Sequence, residues 1–211
     1  MALVKICGIT RVADARAAID LGADLLGLNF WPGSSRCLGV EEARRIARAV
    51  AGRVPLVGVF VNAPPEEVRR IEAAVGLDLL QFHGDEGPEE VRRWGNRGIR
   101  VLRLEAPPEP RQLEEARGAW GLLLEIRHSA YGGAGKSWDY SLLAGIERVR
   151  KDQPLLVAGG IRPDNVRQAL QQSGADGVDV CSGVESAPGI KDRKLLERLI
   201  TEVHNGESLI A

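Results

Sequence analysis

The sequence contains few of the residues that mark several large classes of protein. Its 211 residues include three cysteines, three histidines and one methionine, and only 4% are aromatic. The cysteines lack the spacing of metal ligands, and an odd number of them cannot all pair. No positively charged leader precedes an apolar run, and no apolar stretch is long enough to span a bilayer, so we expect a cytoplasmic protein without membrane contact.

The charge balance excludes a second group of functions. The net charge is −1 with 27% charged residues, so neither sign dominates and a nucleic-acid partner is not expected. The hydrophobic fraction of 44% is typical of a globular chain. No linker or shift in composition divides the chain, and we predict a single domain over residues 1–211.

Short apolar runs alternate with amphipathic segments along the whole chain. Eight strand–helix units with short links are typical of a parallel (β/α)8 TIM barrel. A doubly wound open sheet is the alternative, but the dinucleotide fingerprint expected after its first strand is absent, and we expect no cofactor. The predicted strands are Leu3–Cys7, Asp24–Phe30, Val54–Val61, Leu77–His83, Ile99–Leu104, Gly121–Glu125, Pro154–Ala158 and Asp176–Val180.

Several boundaries between these units are also predicted. Thr10 is a suitable N-cap for the first helix and Asn62 for the third. The longest irregular segment is predicted over Ile126–Ser137, followed by a helix over Tyr140–Arg150. The last helix is predicted over Lys191–Val203.

The first strand carries a lysine and a cysteine on one face. Because side chains alternate along a strand, Lys5 and Cys7 point to the same side. Burying a lysine on an apolar strand is costly, and an ammonium beside a thiol favours the reactive thiolate. This pattern indicates chemistry at Cys7, with a small buried core cysteine as the alternative.

Polar residues collect at the ends of the predicted strands, where a barrel carries its active site. Glycine-rich turns follow strands six, seven and eight, including Gly132–Lys136 after strand six. Such turns let backbone N–H groups approach phosphate oxygens, although glycines also simply permit tight turns. The residues in these positions are Cys7, Arg36, His83, Glu125, Gly159, Gly160, Asp179, Ser182 and Gly183.

Four motifs occur in order along essentially the full length of the chain. They are Lys5-Ile6-Cys7-Gly8-Ile9, Gln81-Phe82-His83-Gly84, Gly132-Gly133-Ala134-Gly135-Lys136 and Asp179-Val180-Cys181-Ser182-Gly183-Val184-Glu185. With them the chain resembles the phosphoribosylanthranilate isomerase family of tryptophan biosynthesis. The resemblance implies a barrel enzyme that catalyses the Amadori rearrangement of N-(5′-phosphoribosyl)anthranilate to 1-(2-carboxyphenylamino)-1-deoxyribulose 5-phosphate.

The resemblance also implies the catalytic pair of the site. The family's general base corresponds to Cys7, which would remove the C2′ proton from the opened sugar. Its general acid corresponds to Glu125, where the family usually has an aspartate. Glutamate keeps the carboxyl group but adds a methylene, so its reach differs. At Cys181, serine is common in the family.

The remaining site predictions concern binding. By resemblance, Arg36 meets the anthranilate carboxylate, a task suited to a guanidinium. Asp179 and His83 are further substrate-binding positions by resemblance, and we add Lys5 to this group. The residues that resemble the family's phosphate site are Gly159, Gly160, Ser182 and Gly183.

Two other functions stay open at this point. One is another phosphosugar isomerase or epimerase, although one such enzyme uses two aspartates and another needs metal ligands. The other is a non-catalytic phosphosugar-binding protein of the same fold, with the change at Glu125 as the cause of lost activity. A homodimer is also considered, because Trp31 and Leu38 are apolar and have no assigned role.

Overall fold

The protein is an eight-stranded parallel barrel. The computed structural model describes residues 1–126, 140–143, 146 and 153–205. Each strand pairs in parallel with the next, and the eighth pairs with the first, so the sheet closes. The predicted (β/α)8 architecture is confirmed. The barrel strands are β1 Leu3–Ile6, β2 Leu25–Asn29, β3 Leu56–Phe60, β4 Leu79–Phe82, β5 Gly98–Leu104, β6 Gly121–Ile126, β7 Leu155–Ala158 and β8 Gly177–Val180.

Helices separate most of these strands along the chain. They are α1 Val12–Leu21, α2 Val40–Val50, α3 Pro65–Val75, α4 Pro88–Arg92, α5 Pro110–Glu115, α6 Val166–Ser173 and α7 Arg193–Asn205. Short 3-10 turns occupy Gly95–Arg97, Tyr140–Leu143 and Ser182–Val184. A two-stranded antiparallel hairpin, β9 Glu185–Ala187 with β10 Ile190–Lys191, follows β8. No helix in the described ranges is long and apolar enough to cross a membrane.

Alternation along the strands produces two apolar layers. Val4 and Ile6 point outward and join the layer between strands and helices, which also contains Ala15 and Ala18 of α1. The other face of the strands fills the barrel interior with branched side chains. This inner layer includes Leu25, Val57, Leu79, Ile99, Leu123 and Leu156. Lys5 shares the inward face of β1, as the alternation predicts.

Two predicted N-cap residues are wrong. Arg11 is the N-cap residue of α1, and the Thr10 hydroxyl donates to the Gly189 carbonyl oxygen. Pro64 is the N-cap residue of α3. Asn62 lies two residues earlier with a φ of 51°, and its side chain meets Asp85.

The last predicted helix also begins too early. Lys191 belongs to β10, where it pairs with Glu185 of β9, and α7 starts only at Arg193. The main-chain N–H of Lys191 donates to Asp14 Oδ2 over 3.0 Å. The pairing with β9 and the Asp14 carboxylate thus provide partners for Lys191, which the sequence predicts to be helical.

Some predictions fall outside the described residues. These are most of the loop predicted over Ile126–Ser137, its motif Gly132–Lys136, and most of the helix predicted over Tyr140–Arg150. Within that helix, Tyr140–Leu143 form a 3-10 turn. The single domain over residues 1–211 stays a prediction.

Candidate active site

A cavity of about 550 Å³ lies at the end of the barrel where the strands finish. Every predicted site residue except Lys5 contributes to its lining, from Cys7 after β1 to Gly183 after β8. Parallel strands end at the same rim, which is why residues so distant in sequence meet. The predicted residues in the lining are Cys7, Arg36, His83, Glu125, Gly159, Gly160, Asp179, Ser182 and Gly183.

Lys5 forms a buried ion pair with Asp179 inside the barrel. The two residues lie opposite each other in the register of β1 and β8, and Lys5 Nζ donates to Asp179 Oδ1 over 2.7 Å. Burial by itself lowers the pKa of Lys5, but the charges of Asp179 and Cys7 hold that pKa above its ordinary value. Lys5 has no exposed surface, so its charge acts on the cavity through these two neighbours.

Cys7 combines burial with a low pKa. Its side chain is 8% exposed and lines the cavity. A hydrogen bond from the Cys181 thiol and the charge of Lys5 lower the pKa of Cys7 to about 6, although burial raises it. At neutral pH the sulfur is therefore mostly a thiolate, the form that can accept a proton.

The Cys181 thiol faces two acceptors but has a single proton. One acceptor is the Cys7 sulfur, and the other is Glu185 Oε1 at 3.8 Å from Cys181 Sγ. The contact with Glu185 is long, as is usual for a thiol, which is a weak donor, and the hydrogen bond to the Cys7 sulfur is the one that lowers the pKa of Cys7. This bond and burial both raise the pKa of Cys181. Cys181 thus stays protonated while Cys7 is ionised.

Two glycines make room for this pair of sulfurs. Gly8 has a φ of +70°, and a Cβ on it would lie 2.8 Å from Cys181 Sγ. A Cβ on Gly27 of β2 would lie 2.8 Å from Cys7 Sγ. A side chain at either position would displace a sulfur.

His83 lies between Gln81 and Glu125. Gln81 Nε2 is 2.8 Å from His83 Nδ1, and His83 Nε2 is 3.0 Å from Glu125 Oε2. Burial is the largest single influence and lowers the pKa of His83, but the hydrogen bond and charge of Glu125, together with the charges of Cys7 and Asp179, raise that pKa overall. Gln81 Oε1 is buried without a hydrogen-bond partner in the described part of the chain. A turned amide would place this oxygen against a protonated Nδ1, so Gln81 suits either charge state of His83.

Arg36 is held from one side by a buried carboxylate. Its Nη2 lies 2.6 Å from Glu185 Oε2, and its Nε also donates to Glu185. Lys191 from β10 reaches the other Glu185 oxygen over 2.9 Å and donates to the Cys181 carbonyl oxygen over 3.0 Å. The two cations hold the pKa of Glu185 below its ordinary value, although burial raises it. The hairpin thus fixes the direction in which Arg36 points.

The turns after β7 and β8 are in close contact. Gly159 and Gly160 have φ values of 96° and 63°, which other residues adopt only with strain. A Cβ on Gly183 would lie 1.9 Å from the carbonyl oxygen of Ile161. Glycine at 183 therefore lets the two backbones approach closely.

Comparison with known proteins shows which family this chain belongs to. The family model of N-(5′-phosphoribosyl)anthranilate (PRA) isomerase matches residues 4–202. The N-(5′-phosphoribosyl)anthranilate isomerase of Rubrobacter xylanophilus is 45% identical over 205 residues, which cover 95% of this chain and 98% of the relative. This chain belongs to the N-(5′-phosphoribosyl)anthranilate isomerase family.

Solved structures of the family have the same fold. The phosphoribosylanthranilate isomerase of Thermotoga maritima aligns with a TM-score of 0.87 and 36% identity, over 97% of this chain and all of the other. A second solved phosphoribosylanthranilate isomerase, in complex with reduced 1-(o-carboxyphenylamino)-1-deoxyribulose 5-phosphate, aligns with a TM-score of 0.83. It is 34% identical, over 97% of this chain and 100% of that one.

In this member of the isomerase family, some residues that line the cavity were not predicted from the sequence. Arg103 near the end of β5 lines it, donates to the Gly84 carbonyl oxygen over 3.0 Å and pairs with Asp85. Asn29 and Trp31 contribute as well. Arg103 could have been predicted, because it lies at the carboxyl end of an apolar strand, where a barrel has the polar residues of its active site.

The residues that support the cavity were also missed. Glu185 ends the last of the four sequence motifs, but the sequence predicts no role for it. The sequence also predicts Lys191 as the first residue of a helix. Gln81 is fully buried on β4 and also received no role. A buried glutamine two positions before the predicted His83 was the signal, since a buried amide needs a partner.

Proposed function

We propose that the cavity converts N-(5′-phosphoribosyl)anthranilate into 1-(2-carboxyphenylamino)-1-deoxyribulose 5-phosphate by general acid–base catalysis. The observation that carries this assignment is that a thiol of low pKa, Cys7, and a carboxyl group, Glu125, line one cavity. Membership of the isomerase family supports the choice of substrate. The solved relative described with the reduced product supports a ligand that joins a phosphorylated sugar to anthranilate.

In the first step Glu125 acts as the acid. Its carboxyl group protonates the ring oxygen of the ribose, the bond from that oxygen to C1′ breaks, and a Schiff base forms. His83 keeps Glu125 in place through its 3.0 Å contact, so we assign His83 a positioning role. Glutamate reaches one methylene further than the usual aspartate, and the bond to His83 limits the directions it can take.

In the second step Cys7 acts as the base. The thiolate removes the proton from C2′, and the electrons of the broken C–H bond move to the nitrogen of the Schiff base. The resulting enol becomes the ketone of the product when its hydroxyl group loses a proton and C1′ gains one. A base with a pKa of about 6 is ionised at neutral pH and still basic enough to take the proton.

The rest of the cavity binds the substrate. Glu185 engages Nε and Nη2 of Arg36, and the remaining N–H groups of the guanidinium meet the anthranilate carboxylate. The turns with Gly159, Gly160, Ser182 and Gly183 receive the phosphate. Arg103 adds a second cation to the lining, which suits a substrate with two anionic groups. The Lys5–Asp179 pair sets the charge beside Cys7.

Assembly, location and domain organisation belong to the same proposal. We propose a homodimer, which is supported by a solved relative from Thermotoga maritima that is described as dimeric. Trp31 is 43% exposed, whereas Leu38 is buried and cannot contribute to an interface. Three free cysteines are consistent with a reducing, cytoplasmic compartment, and one barrel domain accounts for residues 1–211.

The assignment of the acid is tested by changing Glu125. Glu125→Gln cannot donate a carboxyl proton, so we expect kcat to fall by roughly 10²–10⁴-fold. Glu125→Asp restores the family's usual residue and should retain more activity than Glu125→Gln. The measurement is the loss of fluorescence of freshly prepared N-(5′-phosphoribosyl)anthranilate under steady-state conditions.

A matched control separates the acid from general damage to the site. Glu105, an exposed residue after β5, is changed to glutamine and should leave kcat unaltered. If Glu125→Gln turns over as fast as the unaltered protein, Glu125 is not the acid. If the unaltered protein itself shows no turnover but binds the reduced product, the non-catalytic alternative holds instead.

A further inference from the structure

Two thiols face each other where β1 and β8 end. These strands pair in parallel with Ile6 opposite Val180, and the Cys7 amide donates to the Val180 carbonyl oxygen over 2.9 Å. One residue further along, Cys7 and Cys181 are therefore neighbours across the two strands. Adjacent strands lie about 4.8 Å apart, and disulfide partners have Cα atoms about 4.4–6.8 Å apart.

The two side chains are oriented toward each other. Both line the same cavity, and the Cys181 thiol donates to the Cys7 sulfur. The glycines at positions 8 and 27 leave space for the sulfurs, as described above. Both sulfurs therefore face the same space at the ends of paired strands, and a bond between them is compatible with that pairing.

The protonation states suit sulfur–sulfur bond formation. Oxidation begins with a thiolate that the oxidant can reach, and Cys7 has a low pKa and lines the cavity with 8% of its surface exposed. A protonated thiol beside it can then resolve the oxidised sulfur. Cys181 is held protonated, and the Lys191 ammonium lies 3.9 Å from its sulfur, where it favours ionisation once Cys7 is no longer charged.

We propose that Cys7 and Cys181 form an oxidation-sensitive pair, which a hydroperoxide converts into a disulfide that switches the site off reversibly. The loss of activity rests on the proposed function, in which Cys7 is the base. Formation of the disulfide does not depend on that function.

The chemistry proceeds in two balanced steps. The Cys7 thiolate attacks hydrogen peroxide, the O–O bond breaks, and a sulfenic acid forms while hydroxide leaves and takes up a proton. The Cys181 sulfur then attacks the Cys7 sulfur, the S–O bond breaks, and water leaves with the Cys181 proton. Both thiols are oxidised together by two electrons, and one peroxide is reduced to two waters. A dithiol such as dithiothreitol reverses the result.

The test uses a protein in which only these two cysteines remain. Cys37, the exposed third cysteine, is changed to serine, which leaves the cavity intact. After treatment with hydrogen peroxide we expect the intact mass to fall by that of two hydrogen atoms. Activity should fall by roughly a hundredfold or more, as expected for loss of a general base, and dithiothreitol should restore both mass and activity.

A second variant distinguishes the pair from simple oxidation of Cys7. With Cys181→Ser added, no disulfide can form, and further oxidation adds oxygen atoms to Cys7 that dithiothreitol cannot remove. Activity relative to the untreated variant should then stay lost. Recovery equal to that of the Cys37→Ser protein would overturn the proposal.

The remaining outcomes separate the two claims. If the Cys37→Ser protein loses activity without losing two hydrogen atoms, the thiol pair does not form and the inference fails. If it loses two hydrogen atoms and keeps its activity, Cys7 is not the base. That result contradicts the proposed function and the switch, but not the disulfide.

Discussion

At the scale of single residues, the state of Cys7 depends on neighbours from two strands. The hydrogen bond from Cys181, after β8, is the largest influence that lowers the pKa of Cys7, and the charge of Lys5 on β1 adds to it. The sequence pattern indicated only the second, because Lys5 is two positions away in the same strand. Cys181 became visible as a partner only through the pairing of β1 with β8.

This dependence predicts how activity varies with pH. Cys7 must be ionised to act as the base, so kcat/KM should rise with pH through about 6 and then level off on that side of the profile. Cys181→Ala removes the hydrogen bond that stabilises the thiolate. The acidic limb of its profile should therefore move upward, toward the ordinary cysteine pKa of roughly 8.5.

The measurement is kcat/KM over a range of pH for both proteins, with Cys37→Ala as the control that should not shift. An acidic limb at the same pH in Cys181→Ala would show that Cys181 does not set the pKa of Cys7. A rise that persists unchanged in Cys7→Ser would assign the titration to another group.

The types and positions of residues in the sequence predict the residues that line the cavity, but not the residues that hold them in place. Cys7, Arg36 and His83 were predictable because each follows an apolar strand at the rim of a barrel. Glu185 and Lys191 were not, because their importance comes from contacts with Arg36 and with each other across a hairpin that has no apolar pattern. Charged residues in an irregular stretch look solvated until the fold buries them.

At the scale of elements, the Lys5–Asp179 pair joins the two strands that close the barrel. Its side chains are 0% and 7% exposed. Removing one partner of such a pair leaves an uncompensated buried charge. The pair is therefore important for the join between β1 and β8 as well as for the site.

The corresponding prediction concerns stability. Lys5→Met leaves Asp179 without its partner and should lower the free energy of unfolding by about 3–5 kcal/mol. The Lys5 pKa is raised by folding, so its contribution is fully present below the unfolded pKa and is lost only as pH rises through the folded pKa. Urea unfolding at pH 7 lies below that window and measures the whole effect.

Two further variants complete this test. Lys194→Met on the exposed face of α7 should change the free energy of unfolding by less than about 0.5 kcal/mol. Lys5→Met combined with Asp179→Leu removes both charges and should recover most of the loss. If Lys5→Met is as stable as Lys194→Met, the ion pair does not stabilise the pairing of β1 with β8.

The contact between the turns after β7 and β8 gives a second prediction for elements. Gly183→Ala places a methyl group against the Ile161 carbonyl oxygen, which is backbone and cannot rotate away. The turns must separate, and a displacement of about 1 Å near bound phosphate should lower kcat/KM by roughly a hundredfold. Steady-state kinetics measures this, and circular dichroism checks that the variant is folded.

Gly87→Ala serves as the matched control. Its added Cβ would lie 3.7 Å from Glu90 Oε2, an ordinary contact at the start of α4 and away from the cavity. We expect kinetics close to those of the unaltered protein. Equal effects of the two substitutions would argue against a phosphate site between these turns.

The elements themselves were largely predictable, and their ends were not. Every barrel strand was foreseen because apolar runs bounded by glycine and polar residues recur at even spacing. The start of α1 was missed because the Thr10 hydroxyl is bonded to the Gly189 carbonyl oxygen, nearly the whole chain away. A local capping rule cannot anticipate a contact between the first and last units of a closed barrel.

At the scale of the whole molecule, closure of the barrel assembles the site. Cys7 and Asp179 stand near opposite ends of the sequence, yet the pairing of β1 with β8 makes their strands adjacent. Glu125, on β6, lines the same cavity at this end of the barrel. No short segment contains both the proposed acid and the proposed base, so the proposed mechanism requires the folded barrel.

The most direct measurement is the rate at which freshly prepared N-(5′-phosphoribosyl)anthranilate loses its fluorescence with the unaltered protein and with Cys7→Ser. Rapid loss with the unaltered protein, and a rate lower by roughly 10²–10⁴-fold with Cys7→Ser, is the predicted result. Cys37→Ser should match the unaltered protein. Equal rates with and without Cys7, or no faster loss than in buffer alone, would contradict acid–base isomerisation at this site.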